Sequence, residues 1–314
     1  MTNDIKSFIL NGLKKSNDYV SGNKLAAELS ISRVALWKHI KALKEAGYRI
    51  ESNHKGYKLT SGPDLLLPFE FGKWSNRIHY FDEISSTMDM GKNLLKDNND
   101  FTIVVAEKQT KGRGRFDRFW YSHKGGIYFT YSMKPNIPIT YVSKIVLLFA
   151  VAIADTLNEL FNVDAKIKWP NDIIINNKKV CGILTEMTAE LDKIKQINVG
   201  IGINVNNEIH KKIENAISLK EVLDQHIDRK VLFKKLLENI ENELSKVKSD
   251  SVLDEYKHLL STLNKRVSIK TIDDNIVGTA IDISPDGALL VQTDNGDIKK
   301  IISGDCVHLS STKN

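Results

Sequence analysis

The chain is 314 residues long, 41% hydrophobic and 27% charged, with two cysteines, eight histidines and a formal net charge of +6. That length suits two or three domains around at least one sizeable core, and the composition excludes collagen-like, low-complexity and disulfide-scaffold classes. The longest apolar run, residues 145–154, is too short to cross a bilayer and suits a buried helix, and residues 1–15 lack a signal-peptide h-region. A cytoplasmic protein is expected. Cys181 and Cys306 cannot supply a zinc quartet, and the histidines show no ligand spacing, so no structural metal is expected.

The positive charge is concentrated. Residues 1–62 hold 11 Lys+Arg against 5 Asp+Glu, while residues 63–314 hold 34 of each. A polyanion such as DNA is the natural partner for the first segment. Within it Ile5, Phe8, Ile9 and Leu13 have helical spacing, a turn follows at Asn17–Asp18, and Ser21 is placed to cap a helix over Gly22–Leu29. After a tight turn at Ser30–Ile31, Ser32 caps another helix, with Val34, Leu36, Trp37, Ile40 and Leu43 as its apolar side and Gly47 at its end. This is a helix-turn-helix, and Tyr48–Leu59 reads as a hairpin tipped by Asn53–Gly56, the wing of a winged helix. Ser32, Arg33, Lys38, His39, Lys41 and Lys55 are the candidate DNA contacts. The plainer alternative is a small helical domain with a solvated basic face.

Ser61, Gly62 and Pro63 mark a boundary. Up to about residue 265, strands (Ile103–Ala106, Gly126–Met133, Ile167–Trp169, Ile183–Met187, Ile197–Val205) mix with helices (Thr87–Leu95, Tyr141–Leu160, Arg229–Val247), predicting an α+β domain with a mostly antiparallel sheet. Short strands at Val267–Ile272, Ile276–Ile283, Ala288–Thr293 and Ile298–Ile302 predict a small β-barrel. The expected division is 1–62, 63–265 and 266–314.

Two stretches carry chemistry. KGRGRFDRFW, residues 111–120, offers the forks of Arg113, Arg115 and Arg118 for carboxylate or phosphate, and Trp120 for a flat ring. Gly112 and Gly114 permit close backbone approach and positive φ. No P-loop pattern occurs. In KWPNDIIINNKKVCGILTE, residues 168–186, a hairpin presents Asn171, Asp172 and Lys179 around a possible reacting centre. Cys181 lies in an apolar run without a nearby histidine in sequence and reads as a buried small hydrophobe rather than a nucleophile.

GRGRFDRFW matches the G-R-G-R-x-x-R-x-W signature of biotin protein ligases at every fixed position. KWPNDI with KKVCGIL resembles their second signature and ISSTM (84–88) their third. With a winged helix and a small SH3-like barrel, the whole chain resembles the bifunctional ligase–repressor subgroup. Lipoate ligases share the central fold but lack the arginine–glycine loop. The resemblance implies that ATP and biotin condense to biotinyl-5′-AMP, with Mg²⁺ assisting, and that biotin then passes to a lysine of a carboxyl carrier domain of a biotin-dependent carboxylase. It implies a biotin site of Ser86, Thr87, Met88, Gln109, Gly112, Arg113, Gly114, Arg115 and Lys179, Met88 standing where the family often has Asn. Arg118, Trp120, Asn171, Asp172 and Asn204 would serve the adenylate, and Arg115, Arg118, Lys179 and Asp172 the catalysis. The loop is expected to be mobile until it orders over the labile anhydride. Biotinyl-AMP would act as corepressor for a homodimer on operator DNA, and INVGIGINV (197–205) is expected to form an exposed strand pairing across the two-fold axis. Competing readings are a ligand-sensing regulator without turnover, disfavoured by the retained charges of the loop, and a ligase whose winged helix does not bind DNA, disfavoured by the concentrated +6.

Overall fold

The structure is a computed structural model that describes residues 2–95, 100–135, 137–190, 193–209, 211–249 and 251–309. They form two compact units, Met1–Tyr80 with Asp228–Lys230, and Phe81–Ile227 with Val231–Asn314.

The first unit begins with α1 (Thr2–Lys14), α2 (Gly22–Glu28) and α3 (Arg33–Glu45), then the antiparallel hairpin of β1 (Arg49–Asn53) and β2 (Gly56–Ser61). Ile9, Leu10 and Leu13 of α1, Leu25 of α2, and Leu36, Ile40 and Leu43 of α3 make its core. The Ser32 hydroxyl accepts a bond from Ala35 N at 3.1 Å, capping α3, and Gly47 at φ +95° ends it. Val20 exchanges backbone bonds with Tyr57, which fastens the wing to the turn before α2. Gly56 is obligatory there: at φ +137°, a Cβ would lie 2.0 Å from the Val20 carbonyl oxygen.

Two local expectations are corrected. Ser21 precedes α2 without a side-chain cap bond. Val34 and Trp37 are not core residues but 64% and 54% exposed. At about 100° per residue, Leu36, Ile40 and Leu43 already fill the arc that the other helices cover, and Val34 and Trp37 turn away from it.

In the second unit a seven-stranded sheet has the order β3-β4-β5-β9-β8-β7-β6. In chain order its elements are β3 (Ile78–Ile84, which starts in the first unit), α4 (Thr87–Leu94), β4 (Phe101–Gln109), β5 (Ile127–Met133) and α5 (Val142–Phe161), then β6 (Lys166–Lys168), β7 (Asp172–Ile175), β8 (Lys178–Glu190) and β9 (Lys193–Ile203). From β4 across to β6 each neighbouring pair is antiparallel. The apolar run at 145–154 is the buried middle of α5. Helices α6 (Leu219–Leu223), α7 (Arg229–Ser245) and α8 (Ser251–Leu259) follow.

The chain then forms an antiparallel sheet of β10 (Arg266–Lys270), β11 (Asn275–Ile283), β12 (Leu289–Thr293), β13 (Ile298–Ile301) and β14 (Asp305–His308), ordered β13-β12-β11-β10-β14. These five strands are the small C-terminal antiparallel β domain that the sequence predicts. Among the described residues no helix is long and apolar enough to cross a membrane.

The expected exposed strand at 197–205 is also corrected. Most of it is β9, paired with β5 on one side and β8 on the other, and Ile197, Val199 and Ile203 are fully buried. Its Ile/Val alternation packs one face against the core, and it has no free edge to offer a second copy.

Candidate active site

A cavity of about 980 Å³ opens in the second unit, lined by β8, β9, the start of α4, the 111–120 loop, the 171–179 hairpin and β14. Its floor is made by what is missing. Gly182 of β8 pairs with Gly202 of β9, and Leu184 pairs with Gly200. A Cβ on Gly202 would lie 2.2 Å from Trp120 Nε1, one on Gly182 2.9 Å from the Trp120 ring, and one on Gly200 2.5 Å from Met88 Sδ. Trp120 and Met88 therefore lie flat on bare backbone. The Trp120 Nε1 proton is buried against Gly202 and has no hydrogen-bond partner among the described residues.

At one end α4 starts with Ser86, whose hydroxyl accepts from Met88 N at 3.2 Å. Gln109 is fixed at both ends of its amide. Its Oε1 accepts from Thr87 N at 2.8 Å and Thr87 Oγ1 at 3.0 Å, and its Nε2 donates to Ser122 Oγ at 2.9 Å. Thr130 Oγ1 in turn donates to Thr87 Oγ1. This buried polar end beside an apolar floor suits a ligand with a small hydrogen-bonding head and a greasy body.

The loop closes on itself. Trp120 N donates to Gly112 O, Gly114 N donates to Arg118 O, and Arg113 bridges Phe119. The two glycines differ: a Cβ on Gly112 would lie 2.5 Å from Trp120 O, whereas one on Gly114 meets nothing nearer than 3.4 Å. Neither takes positive φ. That conformation falls on Phe116 (φ 54°) instead.

Each loop arginine has a partner. Arg113 grips Asp89 through both terminal nitrogens, at 3.2 and 2.9 Å, and touches Glu186 at 3.3 Å. Arg115 donates to Asn171 Oδ1 at 3.0 Å and to Ser303 Oγ at 2.7 Å. Arg118 forks onto Asp305 at 3.2 and 2.5 Å. The bond from Arg118 holds the Asp305 carboxyl below the usual carboxylate range, while burial lowers the Arg115 guanidinium from its ordinary value. Carboxylates, an amide and a hydroxyl thus occupy forks suited to phosphate.

The 171–179 hairpin supplies the opposite wall. Asn176 and Asn177, at φ 51° and 61°, make the left-handed two-residue turn that twisted hairpins favour. The turn returns Lys179 Nζ to within 2.6 Å of Asp172 Oδ1, and the same ammonium lies 5.1 Å from the centre of the Trp120 ring. Asn171 Nδ2 donates to Ile183 O, leaving its oxygen for Arg115. Asn204 is buried, accepting from Asn207 Nδ2 at 3.1 Å. Cys181 is fully buried and its thiol pushed up by desolvation, as a structural cysteine would be.

The sequence matches the HTH domain family over residues 6–58, the Biotin/lipoate A/B protein ligase family over 80–204, and the Biotin protein ligase C terminal domain over 262–309. It is 37% identical to the Bifunctional ligase/repressor BirA of Bacillus subtilis, covering 92% of this chain and 94% of that protein. The chain belongs to the bifunctional biotin ligase/repressor family. It is also 27% identical to the Escherichia coli K12 protein of the same description, over 96% of each. A biotin protein ligase from Aquifex aeolicus, solved in complex with biotin and ATP, superposes with a TM-score of 0.64 at 31% identity, covering 74% of this chain and 97% of that one.

The ligase cavity gathers Ser86, Thr87, Met88, Gln109, Arg113, Gly114, Arg115, Arg118, Trp120, Asn171, Asp172, Lys179 and Asn204, whereas Gly112 of the same loop is buried and does not line it. Sequence reasoning missed Asp89, Glu186, Ser303 and Asp305, which hold the arginines, and the glycine floor. The floor had a signal in the alternation Gly200-Ile-Gly202, where one face of a strand is bare. On the repressor side, Ser32, Arg33, Lys38, Lys41 and Lys55 are exposed. His39 is half-buried, its pKa lowered by burial and then by Lys6, and lies outside the arc of the exposed cations.

Proposed function

We propose that the chain condenses biotin with ATP to biotinyl-5′-AMP and pyrophosphate, passes the biotinyl group to a lysine of a carboxyl carrier domain, and, with the adenylate bound, represses genes of biotin synthesis and transport as a cytoplasmic, DNA-binding homodimer. The observation that carries the reading is the convergence of Arg115, Arg118, Lys179 and Asp172 on one cavity with an apolar glycine floor.

In the first step a biotin carboxylate oxygen bonds to the α-phosphorus, the bond to the bridging oxygen breaks, and pyrophosphate leaves. Two anions must meet, and charge builds on the phosphoryl oxygens. Arg115, Arg118 and Lys179 are the cations that offset it. Asp305 and Asn171 hold the two arginine forks meanwhile, so the loop exchanges partners instead of folding from a coil. Mg²⁺ would arrive with the phosphates, keep several waters and supply further charge neutralisation, with Asp172 the cavity carboxylate able to take one position. Gln109, Thr87 and Ser86 suit the ureido head of biotin, Met88 on its glycine seat the apolar ring and chain, and Trp120, seated on Gly182 and Gly202, the adenine. In the second step the carrier amine attacks the acyl carbon, AMP leaves, and Asp172 orients the amine or takes its proton.

Incubation with ATP, Mg²⁺, labelled biotin and a carrier domain tests this. Label on the carrier, and its loss in the Lys179→Ala variant, is the expected result. An unlabelled carrier overturns the reading. Asp172→Asn should slow transfer from preformed adenylate; unchanged transfer would remove Asp172 from the second step.

A further inference from the structure

We propose that Trp37 and Val34 of α3 form an apolar base-reading pair that receives thymine C5-methyl groups in the DNA major groove. This rests on the repressor reading above and adds to it which side chains carry sequence preference.

The two residues are misfits by their exposure. Leu36, Ile40 and Leu43 complete the packing of α3, all at 2% exposure or less, yet Trp37 and Val34 stand 54% and 64% exposed. At about 100° per residue, Arg33, Trp37, Lys41, Val34 and Lys38 follow one another around a single arc opposite that packed face. The apolar pair therefore sits inside a cationic arc and not beside it, and Lys41 Nζ lies 5.7 Å from the centre of the Trp37 ring. An apolar pair seeking a protein groove would not be ringed by Arg33, Lys38, Lys41 and Lys44, whereas a polyanion wants that ring.

The cations explain affinity but not choice of site, because phosphate contacts carry no sequence information directly. Among the base edges in the major groove, thymine alone presents an apolar group. Val34 and Trp37 fall in the first half of α3, where a recognition helix meets base edges. Both side chains lose exposed apolar surface against a methyl group, and a tryptophan reaches it with two rotatable bonds to order.

The test uses the full chain with biotin, ATP and Mg²⁺ to select duplexes from a randomised pool. Each thymine of the selected duplex is then replaced singly by deoxyuridine, which removes only the methyl. One or two replacements should each weaken binding about tenfold, on the scale of a single mismatched pair. Trp37→Ala should bind the thymine and uridine duplexes alike at those positions while keeping its affinity for random duplex. Uridine tolerated at every position by the native chain, or a Trp37→Ala variant that retains the full uridine penalty, overturns the proposal. Failure to enrich any duplex overturns the repressor reading with it, whereas enrichment with silent uridines overturns this inference alone.

Discussion

Two basic regions of the chain differ in what faces their cations. On α3, Arg33 and Lys38 are exposed, and Lys41 meets Glu45 at 3.9 Å and the Trp37 ring at 5.7 Å, both on its own helix. In the 111–120 loop, Arg113, Arg115 and Arg118 each meet side chains distant in sequence: Asp89 and Glu186, Asn171 and Ser303, and Asp305. Loose cations suit a ligand that is long, uniform in charge and met by diffusion. Cations held in forks suit a small ligand that must be gripped in one geometry, since the forks are already shaped and need only change partners. Charge density alone does not distinguish these uses; the company each cation keeps does.

Ionic strength separates the two regions most widely. Operator binding should fall by about 10³-fold or more between 50 and 200 mM salt if six or more phosphates are contacted, through counterion release. Ligation should change far less over that range, because its cations are partly buried and paired. A parallel decline of both activities would erase the distinction. The floor gives the next effect. Gly202→Ala forces Trp120 off its seat and should lower adenylate formation by about 10²-fold in a protein that still folds. Near-normal rates would mean that the indole does not set ligand position.

A smaller change sharpens the account of the loop. Arg115→Ala should release bound adenylate several-fold faster, about a threefold to tenfold rise in off-rate, with little loss of stability. Equal off-rates would leave Arg115 as a tie to Asn171 and Ser303 only. The smallest effect concerns His308, which shares a 3.0 Å hydrogen bond with Thr262; Thr262 Oγ1 also accepts from Trp169 N at 3.0 Å. Burial, then Lys265 and Lys168, depress the His308 pKa to about 4 from 6.5. The unfolded chain therefore binds the extra proton between pH 6.5 and 4, so stability is full above that window and falls as pH drops through it. Because the ring is partly exposed, screening reduces this to roughly 1 kcal/mol. His308→Gln should flatten the slope of melting temperature across that window; an unchanged slope would assign the pH dependence to other groups.

Much of this was legible in sequence, for reasons tied to particular residues. The Ser32 cap, the Gly47 stop and the wing turn at Gly56 follow from local chemistry, and the fork-bearing arginines of 111–120 announce an anion. What escaped is long-range. Nothing near Arg118 in sequence points to Asp305, and nothing in VALWKHI says which hydrophobes face a neighbour until the helices are packed. The 197–205 stretch misled for a related reason. Its alternation marks a strand, but whether that strand lies at an edge or in the middle depends on partners at 127–133 and 181–190. Its glycines Gly200 and Gly202 are the seat of Met88 and Trp120.

The ties from Arg115 to Ser303 and from Arg118 to Asp305 span 188 and 187 residues. At about 5–20 residues per second, synthesis takes roughly 10–40 s to cover that interval. For that time a growing chain has Arg118 without Asp305 and Arg115 without Ser303, while α1 through β2, which end by Ser61, have long since left the ribosome. A product cut short before Ser303 would therefore keep the DNA-reading helix and have a loop without two of its anchors. The order of translation therefore sets which of the two units is first complete.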